Sequence, residues 1–350
     1  MTNGIYTFAN DVVYDQLVAL LNSIEANVDP AIPVCIIPYD DQLDRVRSEI
    51  EKRPNVTLFE NAESIQYWEN FATRAWGSHR KAQRIWKERG WSGTYRLERH
   101  RKLCCLDGEF DQFIYFDADT LALSSLDRIF ERLNQFDWVT YDFQHRSDFN
   151  YIMDCSEPKL FDLFSPDYLA SHLFCSGWFA SKKGVLDRQQ LNELLTKLES
   201  GESEVMAWRD SDQAVLNYLV LRSGLSYCNL AFEPDATGCH WMSPFREENH
   251  LLYDQDQLVT YLHYMSVASS QFRQLCAGID VELPYRDLFL HYRYLKSPHD
   301  RPTEFKVPDR ISQARSMMTQ FRKRKMNNLN HRLRKLKHQI KLCQQKPTIE

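Results

Sequence analysis

Apolar and polar positions alternate along the first sixty residues in a pattern that predicts three strands separated by two helices. Residues 4–9 (GIYTFA), 33–38 (PVCIIP) and 55–60 (NVTLFE) are short apolar runs typical of buried strands. Residues 12–26 and 41–52 repeat apolar side chains at helical spacing between these runs. The strand–helix–strand–helix–strand order predicts an α/β fold, with a mostly parallel sheet flanked by helices.

The pattern continues through the middle of the chain with three further predicted strands and two helices. The strands cover residues 112–123 (QFIYFDADTLAL), 136–143 (FDWVTYDF) and 174–181 (FCSGWFAS), and the helices cover 186–198 and 212–222. The last of these strands contains a glycine, which indicates that a ligand or another backbone approaches closely there.

The acidic pair that closes the most apolar strand is the strongest chemical signal. Asp117 and Asp119 are two residues apart, so in a strand both carboxylates point to one face and can converge on one ion. Carboxylates that end a buried strand need a compensating cation or a place at the carboxyl edge of the sheet. A hard divalent cation shared with substrate phosphates is the expected arrangement. The alternative is a cap on a helix at 124–130, which explains one carboxylate but not the pair.

Composition restricts the class of protein. The chain is 43% hydrophobic and 26% charged, which is ordinary globular usage. It has no apolar run of about 20 residues and no signal-peptide pattern at its start. Nine cysteines occur without a CxxC pair, so we expect a reduced, cytoplasmic setting. No GxG, GK[ST], GxSxG or HExxH motif is present, so phosphate binding would rely on a metal or basic side chains.

Charge is distributed unevenly along the chain. Residues 310–350 contain 12 Lys or Arg and one acid, whereas the preceding 309 residues contain 31 basic and 47 acidic residues. Apolar residues recur every three or four positions in this tail: Met326, Leu329, Leu333, Leu336, Ile340 and Cys343. The pattern predicts a basic amphipathic helix that binds an anionic membrane surface or an acidic partner, with nucleic acid less favoured. The alternative is a helix folded back on the acidic body.

Residues 64–102 combine four tryptophans with ten basic residues. This segment is interpreted as a lid over the substrate, as a receiver for an anionic acceptor, or as an extra helical pair packed on the sheet. Arg99, Arg101 and Lys102 at its end are candidates for a second cation at a substrate's phosphates.

The strand FIYFDADTLAL resembles the DxD strand of GT-A-fold glycosyltransferases, most closely the glycogenin-like and galactosyltransferase-like group called family eight. Four other segments match that family in order: TFANDVVYDQLVALLNSI, Arg101-Lys102-Leu103, CSGWFAS and DSDQAVLNYLV. Cys175 stands where the family usually has Asn. The resemblance covers about residues 4–265. It implies a GT-A fold and transfer of a sugar from a nucleotide-diphosphate sugar, a UDP-sugar in this family, to a glycan, lipid or protein acceptor.

The resemblance also implies a metal site. The family's DxD carboxylates and a late His hold Mn²⁺, which places Asp117, Asp119 and His263 as ligands of Mn²⁺ or Mg²⁺. A mixed carboxylate and imidazole shell favours Mn²⁺. Ser266 replaces the Gly expected after this His, and no Lys-Pro-Trp follows. His240 is the alternative third ligand.

Further roles follow from the same resemblance. Asp212 and Gln213 are the implied catalytic pair: Asp212 would bind sugar hydroxyls, Gln213 would border the anomeric centre, and the transfer would retain configuration. The opening of a helix also suits Asp212 as a plain cap. The implied nucleotide-sugar contacts are Thr7, Phe8, Ala9, Asn10, Tyr14, Arg99, Lys102, Asp117, Ala118, Ser176 and Gly177.

These patterns divide the chain into four parts. Residues 1–125 form the nucleotide-sugar half, with the insertion at 64–102, and residues 126–297 form the donor-sugar and acceptor half of the same domain. A Pro-containing linker (298–309) precedes the tail. Because the tail is basic, we expect the protein to lie peripherally at the inner membrane face.

Two other functions stay open at the level of sequence. FIYFDADTL satisfies the DxDxT pattern of haloacid-dehalogenase-type phosphatases, with Asp117 as nucleophile and Asp119 as acid/base, although three strands precede it and no GDxxxD follows. A catalytically degenerate GT-A scaffold that recruits a partner through its tail is the second alternative.

Overall fold

The computed structural model describes residues 2–142, 148–209 and 211–307. The predicted linker beyond residue 307 and the tail at 310–350 therefore lie outside the described residues. The strands are β1 Asn3–Ala9, β2 Val34–Pro38, β3 Val56–Leu58, β4 Gln112–Asp117, β5 Thr120–Ala122, β6 Trp138–Thr140, β7 Trp178–Lys182, β8 Tyr227–Asn229, β9 Arg246–Glu248, β10 Leu251–Asp254, β11 Gln257–Leu258 and β12 Tyr261–His263.

The helices fill the connections between these strands. They are α1 Tyr14–Asn27, α2 Asp44–Ile50, α3 Ala62–Gly77, α4 Arg80–Glu88, α5 Asp127–Leu133, α6 Lys159–Leu163, α7 Pro166–His172, α8 Arg188–Glu199, α9 Ser211–Ser223, α10 Ser269–Cys276 and α11 Arg286–Tyr294. Short 3₁₀ helices cover Asp11–Val13, Leu97–Asp107, Glu202–Val205, Leu230–Phe232 and Pro298–Asp300.

A seven-stranded sheet in the order β3-β2-β1-β4-β7-β6-β8 forms the centre of the fold. Strands β1 to β4 are mutually parallel, β7 runs antiparallel to β4 and β6, and β8 is parallel to β6. The sheet is thus mixed but mostly parallel, which confirms the predicted α/β class. Separately, β12 pairs with β5 as an antiparallel ribbon and β9 to β11 form a three-stranded meander.

Both faces of the sheet are covered, which explains the continuous apolar character of its central strands. In β4, Phe113 and Tyr115 join one core cluster together with α3, α8 and α9. Ile114 and Phe116, which point the opposite way, join a second cluster with α1 and α5. Burial of an unpaired charged group inside such a strand is costly, so the acidic residues of this region lie at its end.

The segment at 64–102 is largely a helical pair, α3 and α4, followed by a 3₁₀ helix. Trp68, Trp76 and Trp86 are fully buried in the first core cluster, whereas Trp91 is partly exposed. The structure therefore favours the interpretation of an extra helical pair packed on the sheet for most of this segment. The side chains left at its exposed end are Arg89, Trp91, Tyr95, Arg96 and Arg99.

Several predicted boundaries differ from the structure. The strand predicted at 174–181 begins only at Trp178, so Gly177 precedes it in a turn instead of lying within it. The helix at 41–52 is shortened to α2, and the strand at 136–143 is shortened to β6. The apolar pattern of a segment does not show where a helix or strand ends, because its ends are set by turns that hydrogen-bond to other segments.

The described part of the chain forms two compact units. One consists of residues 2–272 and 283–301 and contains the seven-stranded sheet. In the other, which includes residues 273–282 and 302–307, Ile279 and Lys306 pair as a parallel bridge. Among the described helices, none combines the length and apolar character that a membrane crossing requires.

Candidate active site

The ribbon of β5 and β12 brings a histidine to the acidic end of β4. Asp117 is the last residue of β4, buried Ala118 and Asp119 form the turn into β5, and His263 at the end of β12 pairs with Thr120. The ligand atoms of Asp117, Asp119 and His263 lie within 4.8 Å of one another. Two carboxylates and an imidazole at this spacing form a set that suits Mn²⁺.

His240 lies beside this group without entering it. Its backbone pairs with that of His263 in a parallel bridge, and its Nδ1 accepts a hydrogen bond from the Met242 amide at 3.1 Å. Of the two histidines considered from the sequence, the structure thus brings His263 to the carboxylates.

Gly177 leaves the space in which these three side chains meet. A Cβ at this position would lie 2.4 Å from His263 Cε1, closer than such atoms approach in proteins, and a tight 3.0 Å from Asp117 Oδ2. The Gly177 carbonyl accepts a 2.8 Å hydrogen bond from the Asp117 amide, so the turn is fixed to the end of β4. A side chain here would fill the cradle that the ligand atoms enclose.

Charge compensation holds Asp119 and His263 together. The imidazole Nε2 lies 3.4 Å from Asp119 Oδ1. Burial alone lowers the pKa of the imidazole, but the Asp119 carboxylate and a hydrogen bond with the Cys175 thiol raise it well above its usual range. Cys175, in place of the family's Asn, is therefore a hydrogen-bonding neighbour of the candidate ligand.

Lys102 is a buried cation between two carboxylates. Its ammonium lies 3.2 Å from Asp117 Oδ1 and 2.9 Å from Asp212 Oδ2, and it donates to the Ser176 hydroxyl at 3.3 Å. Burial lowers the pKa of this amine, yet the two carboxylates outweigh burial and raise it above its usual value. The side chain therefore stays charged at the carboxyl edge of the sheet, where an anionic ligand would bind.

The start of α9 clamps the turn that contains Ser176. Gln213 Oε1 accepts from the Ser176 amide at 3.0 Å. One turn later, Asn217 accepts from the Phe174 amide and donates to its carbonyl. These bonds fix Asp212, which buries one carboxylate oxygen, Oδ1, without a hydrogen bond.

Arg99 and Arg101 have different surroundings. The Arg99 Nη1 lies 3.8 Å from Asp212 Oδ1, and the nearby Lys102 and Arg99 charges hold the pKa of Asp212 well below its usual range despite burial. Arg101 instead donates to Glu69 at 2.7 Å in a partly buried pair. Of the three basic residues, Lys102 and Arg99 therefore face the candidate site.

Strand β1 lies next to β4 and contributes the neighbouring edge. Phe8 pairs in register with Asp117, and Ala9 follows it at the end of the strand. Thr7 is fully buried and its hydroxyl oxygen has no hydrogen-bond partner. The predicted nucleotide contacts of this strand thus adjoin the carboxylate group.

Asn10 and Tyr14 are already engaged with other side chains. Asn10 caps the 3₁₀ helix after β1 and donates to Asp40 at 2.9 Å. The Tyr14 hydroxyl donates to Glu49 at 3.0 Å, and burial together with Glu49 raises its pKa to about 12. The Arg45 guanidinium carbon also lies 3.9 Å from the centre of the Tyr14 ring, so both the ring and the hydroxyl of Tyr14 have partners within the protein.

The sequence analysis missed two residues of this region and left a third without a role. The Tyr115 hydroxyl donates to Asp117 Oδ1 at 2.6 Å, and Asp142 accepts from the Cys175 amide at 2.6 Å. Asn217 was matched as part of a motif only. Strand alternation places Tyr115 on the face of Asp117, and Asn217 follows Gln213 by one helical turn, so both were accessible from spacing. Asp142 could be identified from the sequence only as an acidic residue that closely follows a buried strand.

Comparisons with known proteins support the fold. No family model matches the sequence, and no curated protein sequence matches it. The apo structure of the bifunctional glycosyltransferase WbbM is similar with a TM-score of 0.50 at 13% identity, over 87% of this chain and 52% of WbbM. The chain has the fold of GT-A glycosyltransferases. It spans about half the length of WbbM.

Two other solved structures are similar at lower scores. The galactosyltransferase LgtC, solved with donor and acceptor sugar analogues, has a TM-score of 0.47 at 15% identity, over 82% of this chain and all of LgtC. Mouse xyloside xylosyltransferase 1 has a TM-score of 0.45 at 10% identity, over 66% of this chain and 85% of that protein.

Proposed function

We propose that this protein is a metal-dependent glycosyltransferase that moves a sugar from a nucleotide-diphosphate sugar, a UDP-sugar by family resemblance, to an acceptor. The observation that carries the proposal is the convergence of Asp117, Asp119 and His263 beside the Lys102–Asp212 pair. These groups meet at the carboxyl edge of the sheet, which is where ligands bind in open α/β folds.

The carboxylates and the imidazole would hold Mn²⁺, with Mg²⁺ as the alternative ion. When bound, the ion would neutralise the charge of the leaving diphosphate. Gly177 keeps the space open, Tyr115 and the Asp117 backbone fix the first ligand, and β12 fixes His263. The protein's part is thus to present three ligands in one place before the donor arrives.

The other residues would bind and orient the donor. Lys102 and Arg99 supply positive charge for phosphate oxygens, and Asp212 Oδ1 is a buried acceptor available to a sugar hydroxyl. Gln213, which fixes Ser176, would border the anomeric carbon. We expect retention of configuration by the same resemblance. The residues of β1 and the following turn would contact the nucleotide.

A thermal-shift panel tests this proposal. The full chain is melted with individual sugar nucleotides, with and without Mn²⁺. A ligand at 100 times its Kd stabilises a protein by about 2.7 kcal/mol, so the correct donor should give a clear shift that requires Mn²⁺. Asp119→Ala should abolish this shift. Asp44→Ala, which removes an exposed carboxylate of α2 outside the cluster, should keep it.

The same panel separates the alternatives. A folded wild-type protein that responds to no sugar nucleotide would contradict the proposal and favour the degenerate scaffold. The phosphatase alternative requires the DxD motif on the first strand of the core, whereas here it ends β4, in the centre of a sheet that already contains β1 to β3. The fold therefore disfavours that alternative.

The acceptor is the least constrained part of the proposal. A glycan, a lipid or a protein would each fit a glycosyltransferase, and the basic tail at 310–350 would suit a lipid acceptor at an anionic, inner-face membrane. The corresponding proposal for localisation is that the enzyme is cytoplasmic and binds peripherally to such a membrane.

A further inference from the structure

A cluster of arginine and aromatic side chains lies between the end of α4 and the start of α9. We call it the arginine–tryptophan cluster; its members are Arg89, Trp91, Tyr95, Arg96, Trp208 and Arg209. The Arg89 guanidinium carbon lies 4.5 Å from the Trp208 ring centre and 5.3 Å from that of Trp91. Trp91 stacks on Tyr95 at 4.1 Å, and Arg96 lies over Tyr95 at 4.7 Å. The side chains thus form one continuous surface.

Two arginines of the cluster, Arg89 and Arg96, carry charge that no carboxylate among the described residues pairs with. Arg89 and Arg96 are exposed, and within residues 2–142, 148–209 and 211–307 neither forms an ion pair with a carboxylate. The exposed Arg74 of the same helical pair contrasts with them, since it binds Glu199 through two hydrogen bonds. Arg89 and Arg96 are therefore available to an external anion.

Stacking prepares these arginines for an oxyanion. A guanidinium that lies against an aromatic ring is held in a fixed plane, while the N–H groups at its edge stay available to a carboxylate or phosphate. The Arg89 guanidinium lies within cation–π distance of two tryptophan rings. Such an arginine loses less side-chain entropy when it binds an anion, which favours specific binding of that anion over nonspecific electrostatic attraction.

The cluster is close to the candidate active site along the chain. Arg209 and Asp212 are three positions apart in the sequence, a reach of at most about 11 Å. Arg96, with a left-handed backbone (φ 54°), immediately precedes the 3₁₀ helix that contains Arg99 and Lys102. Non-glycine residues in this conformation are uncommon and concentrate at functional sites. An acceptor bound at the cluster is therefore within a few sugar lengths of the reacting groups.

We propose that the arginine–tryptophan cluster binds the acceptor of the transfer reaction, and that this acceptor carries a negatively charged group, a carboxylate or a phosphate, on a sugar. This inference rests on the proposed function. It assigns the cluster to the acceptor because, under that function, the donor's phosphates already have Lys102, Arg99 and the metal ion at Asp117, Asp119 and His263 as partners.

Tryptophan fluorescence of the full chain tests the assignment without metal or donor. Trigalacturonate and glucose 6-phosphate are the anionic probes, and maltotriose is the neutral one. The tail at 310–350 contains no tryptophan, so polyanion binding there gives no direct signal. We expect a saturable change with at least one anionic probe and none with maltotriose. The probe that binds identifies the anion as carboxylate or phosphate.

Variants locate the binding. Arg89→Gln/Arg96→Gln should weaken the binding of the anionic probe by about tenfold or more, because two charge-assisted contacts are lost. Arg84→Gln, which removes an exposed arginine of α4 outside the cluster, should leave the affinity for the anionic probe unchanged. Trp208→Phe should reduce the signal change, which assigns the signal to the cluster.

Besides a lack of binding by either anionic probe, three results would overturn the inference. They are equal binding of maltotriose and the anionic probes, unchanged affinity in the double variant, and loss of the Mn²⁺-dependent donor shift in that variant, which would place the arginines at the donor. A donor shift without anion binding contradicts this inference alone. Anion binding at the cluster with a flat donor panel contradicts the proposed function instead.

Discussion

Two groups of buried charge in this fold differ in whether their hydrogen bonds are complete. At the end of α2, the Arg53 side chain is only 2% exposed, donates to Glu49 at 2.7 and 2.9 Å and to Asn22 at 2.7 Å, and pairs with Glu25. Its three nitrogens each have a partner, and burial of the charge is compensated within the protein.

The group around Lys102 is equally buried but incomplete. One ammonium serves both Asp117 and Asp212, and Asp212 keeps a buried oxygen without a hydrogen bond. Asp119 and His263 add a further pair at the glycine cradle. An unsatisfied buried acceptor is costly to a protein, and under the proposed function a sugar hydroxyl would supply the missing hydrogen bond to Asp212. The Arg53 group, in contrast, has no capacity left for one.

The largest effect expected from this contrast is on stability at Arg53. Arg53→Met leaves the Glu25 and Glu49 carboxylates without their main partner, and should lower the free energy of unfolding by about 3–5 kcal/mol. Urea unfolding measures this. Arg47→Met breaks a pair with Glu60 in which both side chains are more than half exposed, and should cost less than about 1 kcal/mol. Equal losses in the two variants would show that the Arg53 group is not a stabilising network.

A smaller effect on stability, but a large one on binding, is expected at Gly177. Gly177→Ala places a methyl group against His263 Cε1, so the ligand atoms must move apart. Overpacking of this kind costs about 1–3 kcal/mol. The variant should also lose the Mn²⁺-dependent donor shift.

The matched control for this variant is Gly77→Ala, at the end of α3. No atom lies within 4 Å of the added methyl group there, so stability and the donor shift should both persist. A Gly177→Ala protein that keeps the wild-type shift would show that the cradle is not where the donor complex forms.

The sequence allowed the fold class to be predicted because its signals are local. The apolar run of β4 and the helical spacing of α1 and α9 depend on neighbours along the chain, and these elements appear near their predicted positions. The acidic pair was informative because it closes an apolar run, although the strand predicted at 112–123 divides into β4 and β5, so that Asp117 ends β4 and Asp119 lies in the turn after it.

What the sequence could not supply depends on contacts between distant segments. Whether His240 or His263 faces the carboxylates is decided by the register of β12 on β5, more than 130 residues earlier in the chain. The pairing of Lys102 with Asp212, and of Arg101 with Glu69 instead of the site, likewise depends on how separate segments pack. The arginine–tryptophan cluster depends in the same way on the packing of Trp208 beside Arg89, more than 100 residues apart in the chain.

The smallest expected effect concerns His172, a half-buried ionisable group that forms no ion pair among the described residues. Its ring lies 4.1 Å from that of Tyr168 and 4.6 Å from that of Tyr227, and burial lowers its pKa despite a hydrogen bond to the Tyr168 carbonyl. The folded state therefore resists protonation, while the unfolded chain takes up a proton near pH 6.5. Stability from this group is present above pH 6.5 and is lost as the pH falls toward the lowered pKa.

Urea unfolding of wild type and His172→Gln between pH 7.5 and 5 measures this contribution as a difference in slope. The wild type should lose a few tenths of a kcal/mol more per pH unit below about pH 6.5, less than the 1.4 kcal/mol of a full proton because the ring is only half-buried. His299→Gln, at an exposed ring, should follow the wild type. Parallel profiles for wild type and His172→Gln would mean that the ring accepts its proton without cost.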